Sequence, residues 1–373
     1  MNNRPNHVEI DLSALVDNLN QVKQLVGPGT KIMGIVKSDA YGHGMVPVSR
    51  ALERHKVDAL GVAHLHEALA LRAEGIASPI VILSGLRGSL EAEAAVEHGL
   101  TPVLFDLEVA ETLARVCRER NRAIGVHLKV DTGMGRLGIP HQALADPIHR
   151  ILGLKGLSLE GLLSHLSAAD ESCEDFTLTQ IQRFRDAIET GRAVGARLEQ
   201  NSLANSAGIM KFPGARFDMV RPGIMLYGGL PAAAFACPVV LKPVMHYKGR
   251  VLQVRQMATG VPISYGRTYY TEGPRRVAVV SAGYGDGLPR AMAGQGRLMI
   301  GGKRAPVLGR MCMNLTICDV TALGEVEPGQ EVVFLGTQGD GAITGDEIAN
   351  WAGTISYEIF CALGPRNHRE YRS

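Results

Sequence analysis

Lys37 closes the apolar run Ile32 to Val36 and precedes the stretch Tyr41-Gly42-His43-Gly44. Such a run reads as a buried strand. A lysine at its tip is an amine partly withdrawn from water. Burial disfavours the ammonium form and frees the amine to act as nucleophile or base. Taken alone, a lysine in that place is more often an ordinary strand-end residue reaching solvent, and the glycines ordinary turn residues. Other polar residues at the ends of apolar runs change the balance. Lys129 to Arg136 span the end of one, His165 follows another, and Asn205-Ser206 and Arg221 end two more. Ser206 and the backbone amides of Gly223 and Ile224 suit a phosphate group. A phosphate beside a reactive lysine suggests pyridoxal 5'-phosphate held as a Schiff base. A phosphosugar aldolase is the alternative, although the lysine of such barrels usually sits on a later strand. Far along the chain, Tyr265 lies in the polar loop Ile263 to Thr268. Near two cations its phenol would ionise more easily and act as a base.

These residues need elements to hold them. Val8 to Leu12 reads as a short strand, and Leu12 to Val26 as a helix capped around Asp11 and Ser13. Strand-like runs then alternate with helical ones. The strands are Ile32 to Val36, Ala59 to Ala63, Ile80 to Leu83, Thr101 to Phe105, Ile124 to Val130, Leu157 to Leu163, Ser202 to Asn205 and Phe217 to Val220. Eight such units without a long break favour a closed (β/α)8 TIM-like barrel over an open doubly wound sheet. The active site of a barrel lies where its strands end, where Lys37, Lys129, His165, Asn205 and Arg221 fall. After Gly228-Gly229 and an Ala/Pro-rich joint, Pro231 to Pro238, the rhythm changes. Val244 to Met257, Arg276 to Ala282, Leu298 to Leu308, Leu315 to Val320 and Glu331 to Leu335 are β-type runs, interrupted by one short helix near Asp346 to Trp351. The expected architecture is α/β, with a barrel over residues 1–240 and a mostly antiparallel C-terminal β domain over 241–373.

Composition excludes some classes. The chain has 373 residues, 46% hydrophobic and 20% charged, with a net charge of +2. No like-charge run supports nucleic-acid or membrane-surface binding. No run approaches the ~18 apolar residues of a membrane span, and Met1 to His7 lacks the apolar core of a signal peptide. The six cysteines form no CxxC pair and read as reduced thiols, with Cys312 and Cys318 buried. A cytoplasmic enzyme is expected. His64 and His66 have no partner at metal-ligand spacing, so no metal site is expected. Gly133-Met134-Gly135-Arg136-Leu137-Gly138 matches GxGxxG. A dinucleotide site also wants an acidic residue ~20 positions on, at the end of the next strand. Glu160 falls in the middle of that strand, and Arg136 would crowd the pyrophosphate, so nicotinamide binding is disfavoured.

Taken together, the motifs resemble the alanine racemase family, two-domain pyridoxal-phosphate enzymes with a barrel and a β domain. The resemblance runs from about Val8 to Tyr371. It is carried by Val36 to Gly44, Lys129 to Arg136, Val220 to Ile224, Ser264-Tyr265-Gly266, Gly283 to Gly287 and Ser356-Tyr357-Glu358. The resemblance implies that Lys37 binds the cofactor and is the base on the D-alanine face. It implies that Tyr265, from the other subunit of a head-to-tail homodimer with shared active sites, is the base on the L-alanine face. Arg221 would serve the pyridine nitrogen and His165 would support Arg221. Tyr41, Ser206, Gly223, Ile224 and Tyr357 would hold the phosphate, and Asn205 would belong to the cofactor site. Arg136 would contact the cofactor phenolate and the substrate carboxylate. Met313 would offer its backbone N–H to that carboxylate, and Lys129 is often carbamylated in the family. Asp170, Tyr284 and Arg290 resemble residues of the substrate access channel. The implied activity interconverts L-alanine and D-alanine and supplies D-alanine for bacterial peptidoglycan.

The chain departs from the family pattern at a few places. Asn314 stands where aspartate is common, Gly34 and Ser38 where alanine is common, and Leu288 where tyrosine is frequent. None of these removes a catalytic group. A non-catalytic pyridoxal-phosphate carrier would lack the β domain and Tyr265. A broader-range racemase or a barrel decarboxylase would differ in the space around Tyr357 and the access channel.

Overall fold

A computed structural model describes residues 5–233 and 235–373. Residues 1–4 of the N-terminal segment and Ala234 in the Ala/Pro-rich joint lie outside the described residues. The strands are β1 (His7–Asp11), β2 (Lys31–Ile35), β3 (Ala59–Val62), β4 (Ile80–Ile82), β5 (Thr101–Leu104), β6 (Ile124–Asp131), β7 (Ile139–Pro140), β8 (Leu157–Leu163) and β9 (Met219–Val220). The second half adds β10 (Met245–Met257), β11 (Pro262–Ile263), β12 (Tyr269–Tyr270), β13 (Arg275–Ser281), β14 (Arg297–Ile300), β15 (Lys303–Pro306), β16 (Leu315–Asp319), β17 (Glu331–Gln338), β18 (Gly341–Ile343) and β19 (Arg369–Arg372).

Strands β2 to β6 pair in parallel with their successors, and β6 pairs with β8. The ring closes through Ser202, which bridges Leu163 on one side and Met219 on the other, and through β9 back to β2. The expected seventh strand is thus reduced to a single bridging residue. Asn201 carries that stretch instead: its side chain accepts from Leu162 N and donates to the Asp218 carboxylate. The strands are largely apolar on both faces. Met33, Leu60, Ile82, Val103, Val126 and Leu162 are fully buried, as a parallel sheet covered by helices requires.

The second half forms a sheet of order β15-β14-β17-β10-β1-β19, with β13 and β16 continuing from β10. Strand β1 lies inside this sheet, antiparallel to β10 and parallel to β19. Residues 7–11, at the start of the chain, are thus a strand of the C-terminal sheet. Asp11 then caps the helix Leu12–Val26, accepting from Ala14 N at 2.9 Å, and the chain passes into the barrel. Choice of partner strand is a tertiary matter that local pattern does not record.

Two other expectations are corrected. The run Leu298 to Leu308 is a hairpin, β14 and β15, turned at Gly301-Gly302. A second C-terminal helix, Ser356–Arg366, was not expected; Gly364 and Pro365 fall in its last turn. That helix packs against the segment after Lys37. A Cβ on Gly364 would lie 1.8 Å from the Gly42 carbonyl oxygen, and one on Gly42 2.2 Å from the Phe360 carbonyl oxygen. Both positions need glycine for this approach.

Candidate active site

Strand β2 ends at Ile35, so Lys37 is not the last residue of a strand. It opens a turn in which Ser38, Asp39, Ala40 and Tyr41 all have φ between 53° and 55°. Four successive non-glycine residues in the left-handed region cost about 1–2 kcal/mol each. Neighbours must impose that conformation. Glu67, buried at the start of the helix Leu65–Ala73, accepts from Ser38 N at 2.6 Å and from Ala63 N at 2.7 Å. The Asp39 carboxylate accepts from Met45 N at 2.7 Å and pairs with Arg369. The His43 ring lies 3.0 Å from the Ala40 carbonyl through Nδ1 and stacks on Tyr227 at 4.5 Å. Carbonyl oxygens accept, so Nδ1 carries the proton. The Tyr227 hydroxyl donates to the Ile35 carbonyl at 2.7 Å.

The turn aims Lys37 and Tyr41 into a cleft of about 360 Å³ at the C-terminal mouth of the barrel. Its lining includes Lys37, Tyr41, Lys129, Arg136, His165, Asn205, Ser206, Arg221, Gly223, Ile224 and Tyr357. The structure therefore gathers the expected barrel residues at one place. A wider cleft of about 850 Å³ runs between the helices beginning at Leu65, Gly88 and Leu107, and shares only Ser84 with this one. Size does not mark the chemistry here: the smaller cleft holds the converging cations.

Arg221 is buried and well supplied with acceptors. It donates to Ser202 Oγ at 2.6 Å, to the Ser164 carbonyl at 2.6 Å and to the Leu203 carbonyl at 3.2 Å. Burial pulls its pKa down to about 9, still above neutrality, so it remains a cation. It also lies 3.3 Å from His165 Nδ1. A guanidinium only donates, so Nδ1 accepts and the imidazole proton sits on Nε2. Burial first, and then Arg221, holds His165 well below its ordinary pKa, which keeps the ring neutral. Burial, with Arg136 and Arg221 nearby, lowers the Lys37 ammonium from its ordinary value. Lys129 is lowered further by burial, then by Arg221 and Arg136.

At the other end of the cleft Asn205 caps the helix Ser206–Lys211, accepting from Gly208 N at 3.0 Å. Ser206 Oγ accepts from Gly223 N at 3.0 Å. A Cβ on Gly223 would lie 2.6 Å from the Tyr41 hydroxyl, so the glycine leaves room for the phenol. Tyr41 stacks on Tyr227 at 4.9 Å and faces Tyr357 at 5.8 Å. Burial raises both the Tyr41 and Tyr357 phenols, so they are neutral donors.

Two lysines and two arginines line the cleft and, among the described residues, no carboxylate does. That donor set fits an anionic ligand with a phosphate at one end and a carboxylate at the other, and it fits pyridoxal 5'-phosphate with an amino acid beside it.

The β-domain candidates lie elsewhere. Tyr265 and Met313 are 66% and 56% exposed. Tyr284 is half-buried and Arg290 exposed, and neither lines the cleft. Asp170 is exposed on the barrel and close enough to help raise the Tyr357 phenol. Tyr265 opens a short turn, Tyr265–Arg267, flanked by Ser264 at φ 63° and Arg267 at φ 50°. The Ser264 hydroxyl donates to the Arg310 carbonyl. Cys312 is half-buried, not buried as expected, because its loop lies at the domain surface; Cys318 is buried.

The GxGxxG segment is not a nucleotide cradle. Asp131 accepts from Gly133 N at 2.9 Å and from Gly135 N at 3.1 Å, so these amides turn inward. A strand, β7, follows Gly138 where a helix would be needed. Sequence reasoning missed Glu67, Asp39 and Arg369, which hold the lysine turn. Glu67 had one visible sign, its place three residues after His64 at a helix start, the capping-box spacing.

A lysine turn at a barrel mouth, a buried arginine and an appended β domain place the chain in a class of two-domain barrel proteins. Residues 10–231 match the family described as "Alanine racemase, N-terminal domain", and 244–371 that described as "Alanine racemase, C-terminal domain". The chain is 43% identical over 366 residues to an alanine racemase of Syntrophobacter fumaroxidans, covering 98% of this chain and 97% of the other. It is 39% identical over 375 residues to that of Geobacter sulfurreducens, covering 100% and 98%. Among solved structures it is similar to alanine racemase from a D-cycloserine-producing Streptomyces lavendulae, at 31% identity and a TM-score of 0.93, covering 100% and 98%. A Bacillus anthracis alanine racemase with bound L-Ala-P is similar at 32% identity and a TM-score of 0.89, covering 99% and 95%. The chain belongs to the alanine racemase family, and it is an isomerase.

Proposed function

We propose that the chain interconverts L-alanine and D-alanine with two bases from two subunits, on pyridoxal 5'-phosphate held by Lys37. The observation that carries this reading is the cleft itself: Lys37, Lys129, Arg136 and Arg221 line it, with no carboxylate among the described residues. Tyr41, Ser206, Gly223, Ile224, Tyr357 and Asn205 would hold the cofactor's phosphate end, Arg221 would face its ring nitrogen, and His165 would steady Arg221. Bound there, the cofactor supplies an electron sink that makes the substrate's α-proton acidic.

Racemisation removes that proton from one face and delivers one to the other. Lys37 Nζ serves the D-alanine face as a neutral amine, which burial and the neighbouring arginines favour. The partner subunit's Tyr265 serves the L-alanine face. Arg136 and the backbone N–H of Met313 orient the substrate carboxylate. Asp170, Tyr284 and Arg290 line the access channel of the assembled dimer. Arg221 keeps its own protons, so it leaves the ring nitrogen unprotonated and restrains transamination. Lys129, whose ammonium form burial disfavours, would add carbon dioxide as the amine with loss of a proton; the resulting carbamate would give Arg136 an anion to lean on. The barrel carries the cofactor and the β domain the second base. The enzyme would work in the cytoplasm and supply D-alanine for peptidoglycan.

The purified protein should be yellow, and borohydride should fix the cofactor's mass to the peptide containing Lys37. A colourless protein with an unmodified Lys37 would sink the proposal.

A further inference from the structure

The turn that sets Lys37 is gripped from two sides. On the barrel side Glu67 accepts from Ser38 N at 2.6 Å. On the other side β19 runs past the turn. Arg369 and Tyr371 are two apart on that strand and so share a face. One nitrogen of Arg369 donates both to the Asp39 carboxylate and, at 3.0 Å, to the Gly42 carbonyl. The second Asp39 oxygen is already taken by Met45 N at 2.7 Å, so the carboxylate is fixed on both edges. A Cβ on Gly44 would lie 2.0 Å from the Tyr371 hydroxyl, which places that ring directly on the end of the turn.

Strand β19 has little hold of its own. It is the edge of the sheet and is paired in parallel with β1, Val8 opposite Arg369 and Ile10 opposite Tyr371. β1 is in turn paired with β10. The register of the β domain is thereby carried to a turn that four left-handed residues make reluctant to form.

We propose that Arg369 is a positioning residue for Lys37: the last strand of the β domain holds the left-handed turn, through Asp39 and Gly42, in the form that presents the amine. The assignment rests on Lys37 being the reactive amine. It adds a dependence within one chain, since the same β domain that offers Tyr265 outward would set the lysine of its own barrel.

Hydrogen exchange on the full chain tests the grip without cofactor or activity. Ala40 N, Gly42 N and Gly44 N are bonded within the turn, to Val36 O, Ser38 O and Asp39 O, so a peptide spanning 36–45 reads its opening. Arg369→Met should raise exchange there at least about tenfold and leave a peptide covering β5 unchanged. Arg369→Lys should restore part of the protection. The variant should also take up added pyridoxal 5'-phosphate at Lys37 at least about tenfold more slowly, read by borohydride trapping. If Arg369→Met does not fold, Asp39→Asn removes the other half of the pair and should loosen the same peptide. Wild-type exchange in either variant would overturn the proposal. So would a loosened turn with an unchanged rate of trapping. If wild-type Lys37 traps no cofactor, the functional reading fails, while the exchange result still stands or falls on the grip.

Discussion

Lys37 and Tyr265 both stand beside non-glycine residues at positive φ, but their turns are finished differently. The Lys37 turn is enclosed: Glu67, Tyr227, Gly364 and Arg369 close on it from a helix, a short 3₁₀ helix and two elements of the β domain. The Tyr265 turn is open, its phenol is 66% exposed, and Met313 and Leu315 nearby in sequence to one another are 56% and 39% exposed. Strained backbone at a functional residue must be over-determined by its surroundings. For Lys37 those surroundings are within the chain. Around Tyr265 such supports are fewer, and under the proposed function the partner subunit would cover this surface. In the proposed function, one half of the site is complete in a single chain and the other is offered outward.

The largest effects should come from the two bases and should differ in kind. Lys37→Ala should abolish racemisation and leave a colourless protein. Tyr265→Ala should cut kcat by about 10²–10⁴-fold and leave the yellow colour intact. Loss of colour in the tyrosine variant would place Tyr265 in the cofactor site and erase the distinction. Arg221→Glu should protonate the ring nitrogen and raise keto-acid formation above the wild-type trace; no rise would count against the role given to Arg221.

A smaller effect tests the outward half. Met313→Ala removes apolar surface that a partner would cover, at about 1.5–3 kcal/mol for a fully buried side chain. The dimer dissociation constant, measured by sedimentation, should rise about tenfold to a hundredfold. An unchanged constant would mean that this face is not the interface.

The smallest effect concerns the enclosed half and pH. Lys37 and Lys129 have folded-state pKa values below that of an ordinary lysine, chiefly through burial. Unfolding returns them to about 10.4, so each takes up a proton at pH values between its folded value and about 10.4. The unfolded state then binds more protons, and stability of the cofactor-free chain rises with pH across that window. Lys129→Met should flatten the rise in urea midpoint between about pH 7 and about pH 9.5. A wild-type midpoint that falls with pH would contradict the burial of these amines.

Much of the barrel was legible because buried parallel strands leave apolar runs. Ile32 to Val36, Ala59 to Ala63 and Ile80 to Leu83 each overlap an observed strand. Polar residues at their ends could then be collected without knowing the packing, and those residues do line one cleft. What escaped was whatever depended on a distant partner. Val8 to Leu12 showed a strand but not that it would pair with β10 and β19. Ser202 closes the barrel as a single bridge, too short to give a pattern. Glu67, Asp39 and Arg369 act on the backbone of a left-handed turn, and no periodicity announces such a turn. Tyr265 was legible as a residue in a polar loop, while its role came from family resemblance.

Co-expression of Lys37→Ala and Tyr265→Ala chains tests the divided site most directly. Lys37→Ala alone should not racemise alanine, and Tyr265→Ala alone should keep at most about a hundredth of wild-type activity. A hybrid dimer would contain one site with both native bases, so random pairing should restore roughly a quarter of wild-type activity. Mixed dimers that form in full and stay inactive would show that each site is built from one chain, and the two-subunit account would fall.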